Sequence, residues 1–308
     1  MSIVVIGAVF IDIKGYPNKT YIPRGRNAGW VEQTFGGVAR NAAEDIANME
    51  LRPTFVSIVD DTPTGDAVIA QLQRHKVNTQ YIRKVKDGNG TWLAVFNESG
   101  DVEASISKRP DLMPILDILN EKGDEIFENA DSVAVEIDVD SEIVNKVFEL
   151  ARKYNKKVFA LVSNMSIAVK RRDLIQDTAC FVCNLQEASM FFSDDFEPLE
   201  PEQLADVLAV DIKAANINSM VVTLGDKGSV YADKEGHKGH IPAGKVEVVD
   251  TTGAGDSFFA GVTAGLTYGK SLEESCKIAT RIASAVIATT DAVCPRFRPE
   301  EFGFERRD

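Results

Sequence analysis

The sequence has few cysteines and histidines, and it has no long apolar run. Its four cysteines include one close pair, Cys180 and Cys183, but no second pair or histidine cluster lies near them to complete a zinc site. We interpret the pair as two small residues of a buried strand. No apolar stretch approaches the roughly 20 residues that a helix needs to span a bilayer. The composition therefore disfavours a zinc-stabilised fold and a membrane protein.

Basic residues are in the minority, with 34 Lys and Arg against 47 Asp and Glu. A nucleic-acid-binding surface needs a basic excess, so we expect no nucleic-acid partner. A small phosphorylated ligand stays compatible with the net charge, because a pocket can be locally positive in an acidic protein. The N-terminus lacks a basic region and Asp12 interrupts its apolar run, which favours a strand over a signal peptide. We therefore expect a cytoplasmic location.

Two common nucleotide-binding motifs are absent. No GxxxxGK(S/T) sequence occurs, which disfavours a P-loop nucleotidase. Gly7 follows the first apolar run but lacks the further glycines of GxGxxG, which disfavours a dinucleotide-binding oxidoreductase. If the protein binds a nucleotide, another motif must do so.

Short apolar runs bounded by turn residues alternate with stretches of helical periodicity. Runs that are apolar on both faces are typical of strands in a parallel sheet. The predicted strands cover residues 3–9, 53–59, 131–137, 157–162, 180–185, 219–225 and 246–249. The predicted helices cover residues 38–50, 65–76, 140–155 and 201–216. This alternation predicts an α/β fold: a doubly wound, mostly parallel sheet flanked by helices, with ligands beyond the carboxyl ends of the strands.

Two segments depart from this rhythm. Residues 91–107 contain two extended runs around Glu-Ser-Gly-Asp, which predicts a β-hairpin. Residues 12–35 are rich in Gly, Pro, Asn and Tyr and lack helical periodicity. We predict that segments 12–35 and 88–109 form a small β-sheet lid that covers a substrate. No linker divides the chain, so residues 1–308 are predicted to be a single α/β domain.

The sequence DTTGAGDSF at residues 250–258 places small residues before an apolar, helix-like run. Gly253, Ala254 and Gly255 let backbone N–H groups approach an anion, and the helix that starts near Asp256 adds the positive end of its dipole. We expect this dipole to keep Asp256 ionised, so that it can accept a proton from a substrate hydroxyl. The alternative is that Asp256 only caps the helix.

Three other stretches combine a turn with polar residues. TFGGVARNAAEDIANM (34–49) puts two glycines before a helix that carries Asn41 on its first turns. NLQEA (184–188) and TLGDKGSVYA (223–232) each follow a predicted strand. Glu187 could be an ordinary acid at a helix N-terminus, and the last stretch also fits a plain hairpin.

Together and in this order, these motifs resemble the PfkB, or ribokinase-like, family of sugar and nucleoside kinases. The resemblance extends to about Pro299, and DTTGAGDSFFAGV is its most specific part. It implies a large α/β domain with a β-sheet lid. It also implies transfer of the γ-phosphate of ATP to a hydroxyl group, with Mg²⁺ and, in many members, K⁺.

The resemblance implies a role for each motif residue. Asp256 is similar to the catalytic base of the family, and Gly253, Ala254 and Gly255 are similar to its anion hole. The other implied roles are substrate binding by Asp12, Gly36, Gly37 and Asn41, nucleotide binding by Thr223, Gly225 and Gly228, Mg²⁺ organisation by Asn184 and Glu187, and monovalent-cation binding by Asp250 and Thr252. Further cation ligands would come from residues 288–294.

The acceptor substrate is the least specified feature. Residues 11–17 (IDIKGYP) and 36–41 (GGVARN) are most similar to pseudouridine kinases, which phosphorylate a ribose 5′-hydroxyl. Aromatic lid residues such as Tyr16 and Trp30 could stack on a base or pack within the sheet. We rank pseudouridine first as the acceptor and a free sugar, ribose or fructose, second.

Two stretches depart from the family pattern. Residues 162–164, Val-Ser-Asn, replace an expected aspartate and proline, which motivates a second class of function, a non-catalytic ligand sensor. Residues 289–302 lack the glycines often found in the cation loop, so a K⁺ requirement stays open. Lid sheets of this family often pair, which implies a homodimer through the lid.

Overall fold

The computed structural model describes residues 2–305, so Met1 and residues 306–308 of the predicted domain lie outside the described residues. The strands of this range are β1 (Ser2–Ile6), β2 (Phe10–Pro17), β3 (Gly29–Gly36), β4 (Thr54–Asp60), β5 (Asn78–Val85), β6 (Gly90–Phe96), β7 (Val102–Lys108), β8 (Ala130–Glu136), β9 (Lys157–Leu161), β10 (Cys180–Asn184), β11 (Ser219–Thr223), β12 (Ser229–Asp233) and β13 (Lys238–Ile241). Its α-helices are α1 (Val38–Asn48), α2 (Pro63–Arg74), α3 (Met113–Glu128), α4 (Ser141–Lys153), α5 (Met165–Ala168), α6 (Arg172–Gln176), α7 (Leu185–Phe192), α8 (Pro201–Ala214), α9 (Ala254–Thr267) and α10 (Leu272–Ile287).

Nine strands form a large sheet in the order β13-β12-β11-β10-β9-β8-β1-β4-β5. Strand pairs from β11 to β5 are parallel, and β12 and β13 extend the sheet by antiparallel pairing. Six of the predicted strands lie in its parallel part. The predicted doubly wound, mostly parallel sheet is therefore confirmed.

Helices cover both faces of the large sheet, because its strands are apolar on both sides. In β1, Val4 and Ile6 join one buried apolar cluster, whereas Ile3 and Val5 join the other. Helices α3, α4 and α8 supply apolar side chains to the first cluster, and α1, α2, α9 and α10 supply them to the second. Successive side chains of a strand point to opposite faces, so each parallel strand joins the two layers.

One predicted strand is wrong. Residues 242–249 form neither a strand nor a helix in the structure. The side chains of Val248 and Val249 are 58% and 57% exposed, and Val249 N donates to the Ile287 carbonyl (2.7 Å) at the end of α10. β-Branched residues favour a strand only where a neighbouring strand and a buried face are available, and this segment has neither.

The four remaining strands form a separate, smaller sheet in the order β3-β2-β6-β7. Strands β2 and β3 pair antiparallel, β2 and β6 pair parallel, and β6 and β7 form the predicted hairpin. The second sheet predicted from residues 12–35 and 88–109 is confirmed. Asp12, which interrupts the N-terminal apolar run of the sequence, lies in the interior of β2.

Two further expectations concern cysteines and membrane helices. Cys180 and Cys183 are buried in β10, as predicted, and all four cysteines of the chain are free thiols. Within residues 2–305, the structure contains no helix that is apolar over a bilayer-spanning length.

The turn after β11 is a hairpin, so this interpretation of TLGDKGSVYA is confirmed: β11 and β12 pair antiparallel around a 3₁₀ turn, Gly225–Lys227. Gly228 closes the turn with φ of 94°. A Cβ atom there would lie 2.0 Å from the Ile241 carbonyl oxygen, so only glycine fits without moving the backbone.

We expect Gly228→Ala to destabilise the fold by more than about 3 kcal/mol, because it adds a backbone clash to left-handed strain. Gly236→Ala is the matched control: its φ is 98°, but a Cβ there meets no atom within 4 Å. The control should lose only the conformational cost, about 1–2 kcal/mol. Chemical denaturation of both variants gives the comparison, and equal losses would contradict the clash.

Candidate active site

The N-termini of α1 and α9 meet beside the carboxyl ends of the large sheet. Gly37 precedes α1 with φ of 99°, and Gly253 precedes α9 with φ of 79°. A Cβ on Gly253 would lie 1.9 Å from the Ala292 carbonyl oxygen, so the turn before α9 is closely packed. Two helix N-termini point their unpaired N–H groups toward one region, which favours an anion there.

A hydrogen bond joins the two helices. Asn41 Nδ2 of α1 donates to Asp256 Oδ2 of α9 at 2.8 Å. Asn41 is buried and Asp256 is half-buried. The structure thus brings together one predicted substrate-binding residue and the predicted base.

Asp256 is less acidic than the sequence suggested. Burial raises its pKa from the usual range to about 7, while the Asn41 hydrogen bond and the positive charge of Arg40 lower the pKa, and the negative charge of Asp12 raises it. Burial therefore opposes the helix dipole that we expect to keep Asp256 ionised. Loss of hydration outweighs the favourable contacts of its carboxylate. A carboxyl group with a pKa near neutrality is suited to exchanging a proton with a hydroxyl.

Asp12 reaches the same region from the small sheet. A Cβ atom on Gly36 would lie 2.3 Å from Asp12 Oδ2, so the glycine leaves room for the carboxylate. Burial raises the pKa of Asp12, and the nearby charges of Lys14 and Arg40 lower it. The residues assigned to substrate hydroxyls, Asp12, Gly36, Gly37 and Asn41, lie at the junction of β2, β3 and α1.

The predicted anion hole contains free N–H groups. Ala254 N donates weakly to the Thr251 carbonyl (3.2 Å), and Ser257 N donates to Gly253 O (2.9 Å). The N–H groups of Gly255 and Asp256 have no acceptor within the described residues. Gly255 is exposed, and a Cβ there meets no atom within 4 Å. These two donors, at the start of α9, can bind phosphoryl oxygens.

A cleft of about 610 Å³ opens on one side of this turn, and we call it the nucleotide cleft. The predicted nucleotide residues Thr223, Gly225 and Gly228 line it together with Ala254 and Gly255. Its other walls are largely apolar and come from the irregular segment 243–248 and from α9 and α10, with Val246, Val248, Phe258, Ala283 and Ile287. Apolar walls of this kind suit a planar apolar group.

A second cleft, of about 530 Å³, lies under the small sheet, and we call it the lid cleft. Its walls are mostly polar and include Lys14, Tyr16 and Glu32 of the small sheet, with Arg40 of α1. Asp256 itself lines neither cleft. Its chain neighbour Gly255 lines the nucleotide cleft, and Arg40, the chain neighbour of its hydrogen-bond partner Asn41, lines the lid cleft. Residues on either side of this hydrogen bond therefore border both clefts.

The predicted cation residues Asp250 and Thr252 also line the lid cleft. Asp250 Oδ1 accepts hydrogen bonds from Thr252 N (2.9 Å) and Thr252 Oγ1 (2.8 Å). The second carboxylate oxygen of Asp250 has no partner within the described residues. One free carboxylate oxygen fits a monovalent cation only if backbone carbonyls complete the site.

Asn184 and Glu187 form the N-terminal capping box of α7. Glu187 N donates to Asn184 Oδ1 (2.8 Å), and Asn184 N donates to Glu187 Oε2 (2.9 Å). Burial raises the pKa of Glu187, and the nearby Asp138 raises it further. Glu187 Oε1 has no partner within the described residues. The capping alternative is confirmed, and one carboxylate oxygen of Glu187 is not used by the cap.

Among residues 2–305, no three His, Cys, Asp or Glu side chains cluster closely enough to hold a metal by themselves. Mg²⁺ in kinases is typically bound by one or two carboxylates together with substrate phosphates and water. Glu187 fits such a shared site, since it supplies one ligand group and not a cage.

Sequence reasoning missed a buried acidic network next to this site. Glu136 ends β8 and accepts from Ala8 N (2.9 Å) and Ser163 Oγ (3.2 Å), while Asp138 accepts from Ser163 N (2.9 Å) and pairs with Arg109 (2.7 Å). Burial raises the pKa of Glu136 to about 7. Ser163, one of the residues at 162–164 that depart from the family pattern, thus belongs to this network. The sequence feature that could have indicated the network is an acidic residue, Glu136, at the end of a predicted buried strand.

Asp45 is a second buried contact that sequence reasoning missed. Its carboxylate accepts from Ser257 Oγ of α9 (2.9 Å) and from Cys294 N (2.6 Å). Burial raises the pKa of Asp45 to about 8. Asp45 therefore links α1 both to α9, at the residue after Asp256, and to the loop that follows α10. Its helical position alone gave no sign of this role.

The sequence profile of the pfkB family carbohydrate kinases matches residues 1–295. The chain belongs to the pfkB family. It is therefore a phosphotransferase of a sugar and nucleoside kinase family that uses ATP and an alcohol group as acceptor.

Individual relatives agree with this membership. The chain is 33% identical to the guanosine-inosine kinase of Exiguobacterium acetylicum, covering 94% of this chain and 95% of that protein. It is 24% identical to the pseudouridine kinase of Escherichia coli (strain K12), covering 93% and 90%. The structure of Arabidopsis thaliana ribokinase complexed with ribose and ATP superposes with a TM-score of 0.83 at 22% identity, covering 99% of both chains. This pfkB-family kinase therefore has the ribokinase-like fold.

The pKa of Asp256 leads to a prediction for the pH dependence of this kinase. If Asp256 is the base, as its motif predicts, it must be deprotonated to act, and a pKa of about 7 means that the active fraction falls as the pH drops through 7. We expect kcat/KM to decrease about tenfold per pH unit on the acidic side, with the midpoint near pH 7. A pH–rate profile checks this, and full activity retained at pH 5 would contradict it.

Proposed function

We propose that the protein is an ATP-dependent nucleoside kinase that phosphorylates the 5′-hydroxyl of a 6-oxopurine ribonucleoside, guanosine or inosine. The observation that carries this proposal is the 33% identity to a guanosine-inosine kinase over almost the whole length of both chains. We propose a cytoplasmic location, because ATP and free nucleosides are available there. Residues 1–308 would act as one catalytic unit, with the small sheet as its lid.

In the proposed reaction, Asp256 accepts the proton of the acceptor hydroxyl as its oxygen attacks the γ-phosphorus of ATP. The bond between the γ-phosphorus and the β–γ bridging oxygen breaks, and ADP leaves. Asn41 holds the carboxylate of Asp256, and the free N–H groups of Gly255 and Asp256 bind the oxygens of the transferring phosphoryl group. The base, its support and the anion donors belong to two helix N-termini.

Substrate positioning is proposed for the residues around the lid cleft. Asp12 and Asn41, with the space left by Gly36 and Gly37, would bind the ribose hydroxyls. Tyr16 lies in the lid cleft and stacks on Trp30 and Phe96 with ring-centroid distances of 5.1 and 4.8 Å. This aromatic group packs within the sheet, and Tyr16 also lines the cleft. It suits an acceptor with a base more than a bare sugar.

Metal binding completes the proposal. Mg²⁺ bound to ATP neutralises phosphate charge, and Glu187, positioned by Asn184, would hold it through a water. Thr223, Gly225 and Gly228 would border the nucleotide. K⁺ binding by Asp250 and Thr252 is proposed as a secondary feature, with carbonyl groups of residues 288–294 as the remaining ligands.

Pseudouridine is the second candidate acceptor. It is supported by the 24% identity to a pseudouridine kinase and by the stretch GGVARN. Ribose and fructose follow. A non-catalytic sensor is disfavoured, because a sensor does not need a carboxylate with a pKa near neutrality beside free anion donors.

A coupled ATP-consumption assay over guanosine, inosine, pseudouridine, uridine, adenosine, ribose and fructose tests the proposal. We expect the highest kcat/KM with guanosine or inosine. A preference for pseudouridine or a free sugar would overturn the acceptor assignment, and no turnover with any acceptor would favour the sensor.

In the same assay, Asp256→Asn should lower kcat by about 10²–10⁴-fold with little change in ligand binding, because the amide cannot accept the proton. The control is Asp66→Asn, which changes the acid on the first turn of α2. It should leave kcat unchanged. Near-normal turnover of Asp256→Asn would exclude Asp256 as the base.

We also propose that the kinase forms a homodimer through the outer face of the small sheet. Strand pairing places Leu93 beside Ile13 and Ile106, on the face opposite to Asp12. Val31, Leu93 and Ile106 are 72%, 41% and 69% exposed there, which makes an apolar patch that a second copy can cover.

Sedimentation velocity of wild type and of Leu93→Lys/Ile106→Lys tests this dimer. We expect a dimer for wild type and a monomer for the variant, because the added charges cannot be buried in the interface. Val210→Lys, on α8 with 68% exposure, is the control and should stay dimeric. A monomeric wild type would contradict the proposal.

A further inference from the structure

We propose that Arg40 is a positioning residue of this kinase: its guanidinium holds the Asn41 amide, and through it the Asp256 carboxylate, in the orientation needed for proton transfer. The inference rests on the proposed role of Asp256 as the base. It concerns a residue of the GGVARN motif to which no role is assigned above.

The hydrogen-bond geometry determines which way the Asn41 amide faces. Arg40 Nη1 donates to Asn41 Oδ1 at 2.8 Å, and a guanidinium can only donate. The amide nitrogen of Asn41 must therefore face the other way, where it donates to Asp256 Oδ2 at 2.8 Å. Without Arg40, the amide could rotate by 180° and place its oxygen against the carboxylate, which would push Asp256 away.

Arg40 is itself held on three sides. It is 3% exposed, it pairs with Glu44 one turn further along α1, and Nη1 also donates to the Phe35 carbonyl (2.8 Å) near the end of β3. Glu44 is 1% exposed and also accepts from Gln71 Nε2 of α2 (3.1 Å). A buried charge with this many partners has little freedom to move. Arg40 therefore holds the Asn41 side chain in one orientation.

The charges around Arg40 explain why a cation is needed there. Asp12 of β2 and Asp256 of α9 both experience its positive charge, which lowers the pKa of each carboxyl. Other ionisable groups nearby are Lys14 of β2, whose charge also lowers the pKa of Asp12; Glu44, with His75 of α2 on its far side (3.1 Å); and Asp45 of α1, whose pKa Asp256 raises. Removing Arg40 would leave the carboxylates with less compensation, so the pKa of Asp256 would rise.

The role of Arg40 can be separated from simple structural support by three variants. Arg40→Met removes both charge and hydrogen bonds. The double variant Arg40→Met/Glu44→Gln removes both members of the ion pair, so that no unpaired charge stays buried. It replaces the single variant if that one folds poorly. Arg40→Lys keeps the charge, but one ammonium group cannot reproduce the planar arrangement of donors.

Each variant is assayed with guanosine and ATP over pH 5–9, and its melting temperature is recorded. Both Met variants should lose about 10²-fold in kcat and shift the acidic limb of kcat/KM up by about one pH unit, with KM changed less than about threefold. The double variant should melt close to wild type. Arg40→Lys should lose less in kcat and keep the wild-type pH limb.

Arg152→Met is the control, because Arg152 pairs with Asp177 on the surface of α4, far from Asp256 in the fold. It should match wild type in all readouts. The proposal is overturned if a folded Met variant keeps wild-type kcat and pH limb, or if only KM rises, which would assign Arg40 to acceptor binding.

Failure of the base proposal looks different from failure of the Arg40 proposal. If Asp256→Asn is active, Asp256 is not the base, whatever the Arg40 variants show. If Asp256→Asn is inactive but the Arg40 variants are fully active, Asp256 remains the proposed base and only the positioning role of Arg40 is excluded.

Discussion

One hydrogen bond between residues 215 positions apart, Asn41 and Asp256, joins the two halves of the candidate site. It connects the N-termini of α1 and α9, and residues next to it line both the lid cleft and the nucleotide cleft. The small sheet reaches this point through β3, which leads directly into α1. A change in the contact would therefore alter how the start of α9 sits relative to the small sheet.

Burial gives this junction its chemistry, and buried charges need partners. Glu44 has Arg40 and Gln71, and Asp45 has Ser257 and the Cys294 amide, so each acid on α1 is stabilised by donors from another element. Arginines also tie the small sheet to the large one at two places. Arg40 contacts the end of β3, and Arg109, directly after β7, pairs with Asp138 beyond the end of β8. Two separate arginine contacts thus join the small sheet to the rest of the fold, and one of them lies next to Asn41 and Asp256.

Local patterns were sufficient for much of the fold. The strands β1, β4, β8, β9, β10 and β11 are apolar on both faces, and the helices between them are amphipathic, so sequence alone indicated the layers. The glycines at 36, 37, 253 and 255 also pointed to the right turns, because a missing side chain is a local property. The strand at 246–249 was wrong, since Val248 and Val249 find no neighbouring strand. The sequence patterns did not predict helices α3 and α10.

By itself, the sequence determined the alternation of strands and helices, the presence of a second sheet and the motif that carries Asp256. These depend on residue spacing and on steric limits that act over a few residues. Only the tertiary structure decided that Asn41 supports Asp256, that Arg40 and Glu44 form a buried pair beside them, and that the pKa of Asp256 rises toward neutrality. Those properties depend on how far each carboxylate is removed from water and which distant donors reach it, and neither is encoded in the spacing of any one segment.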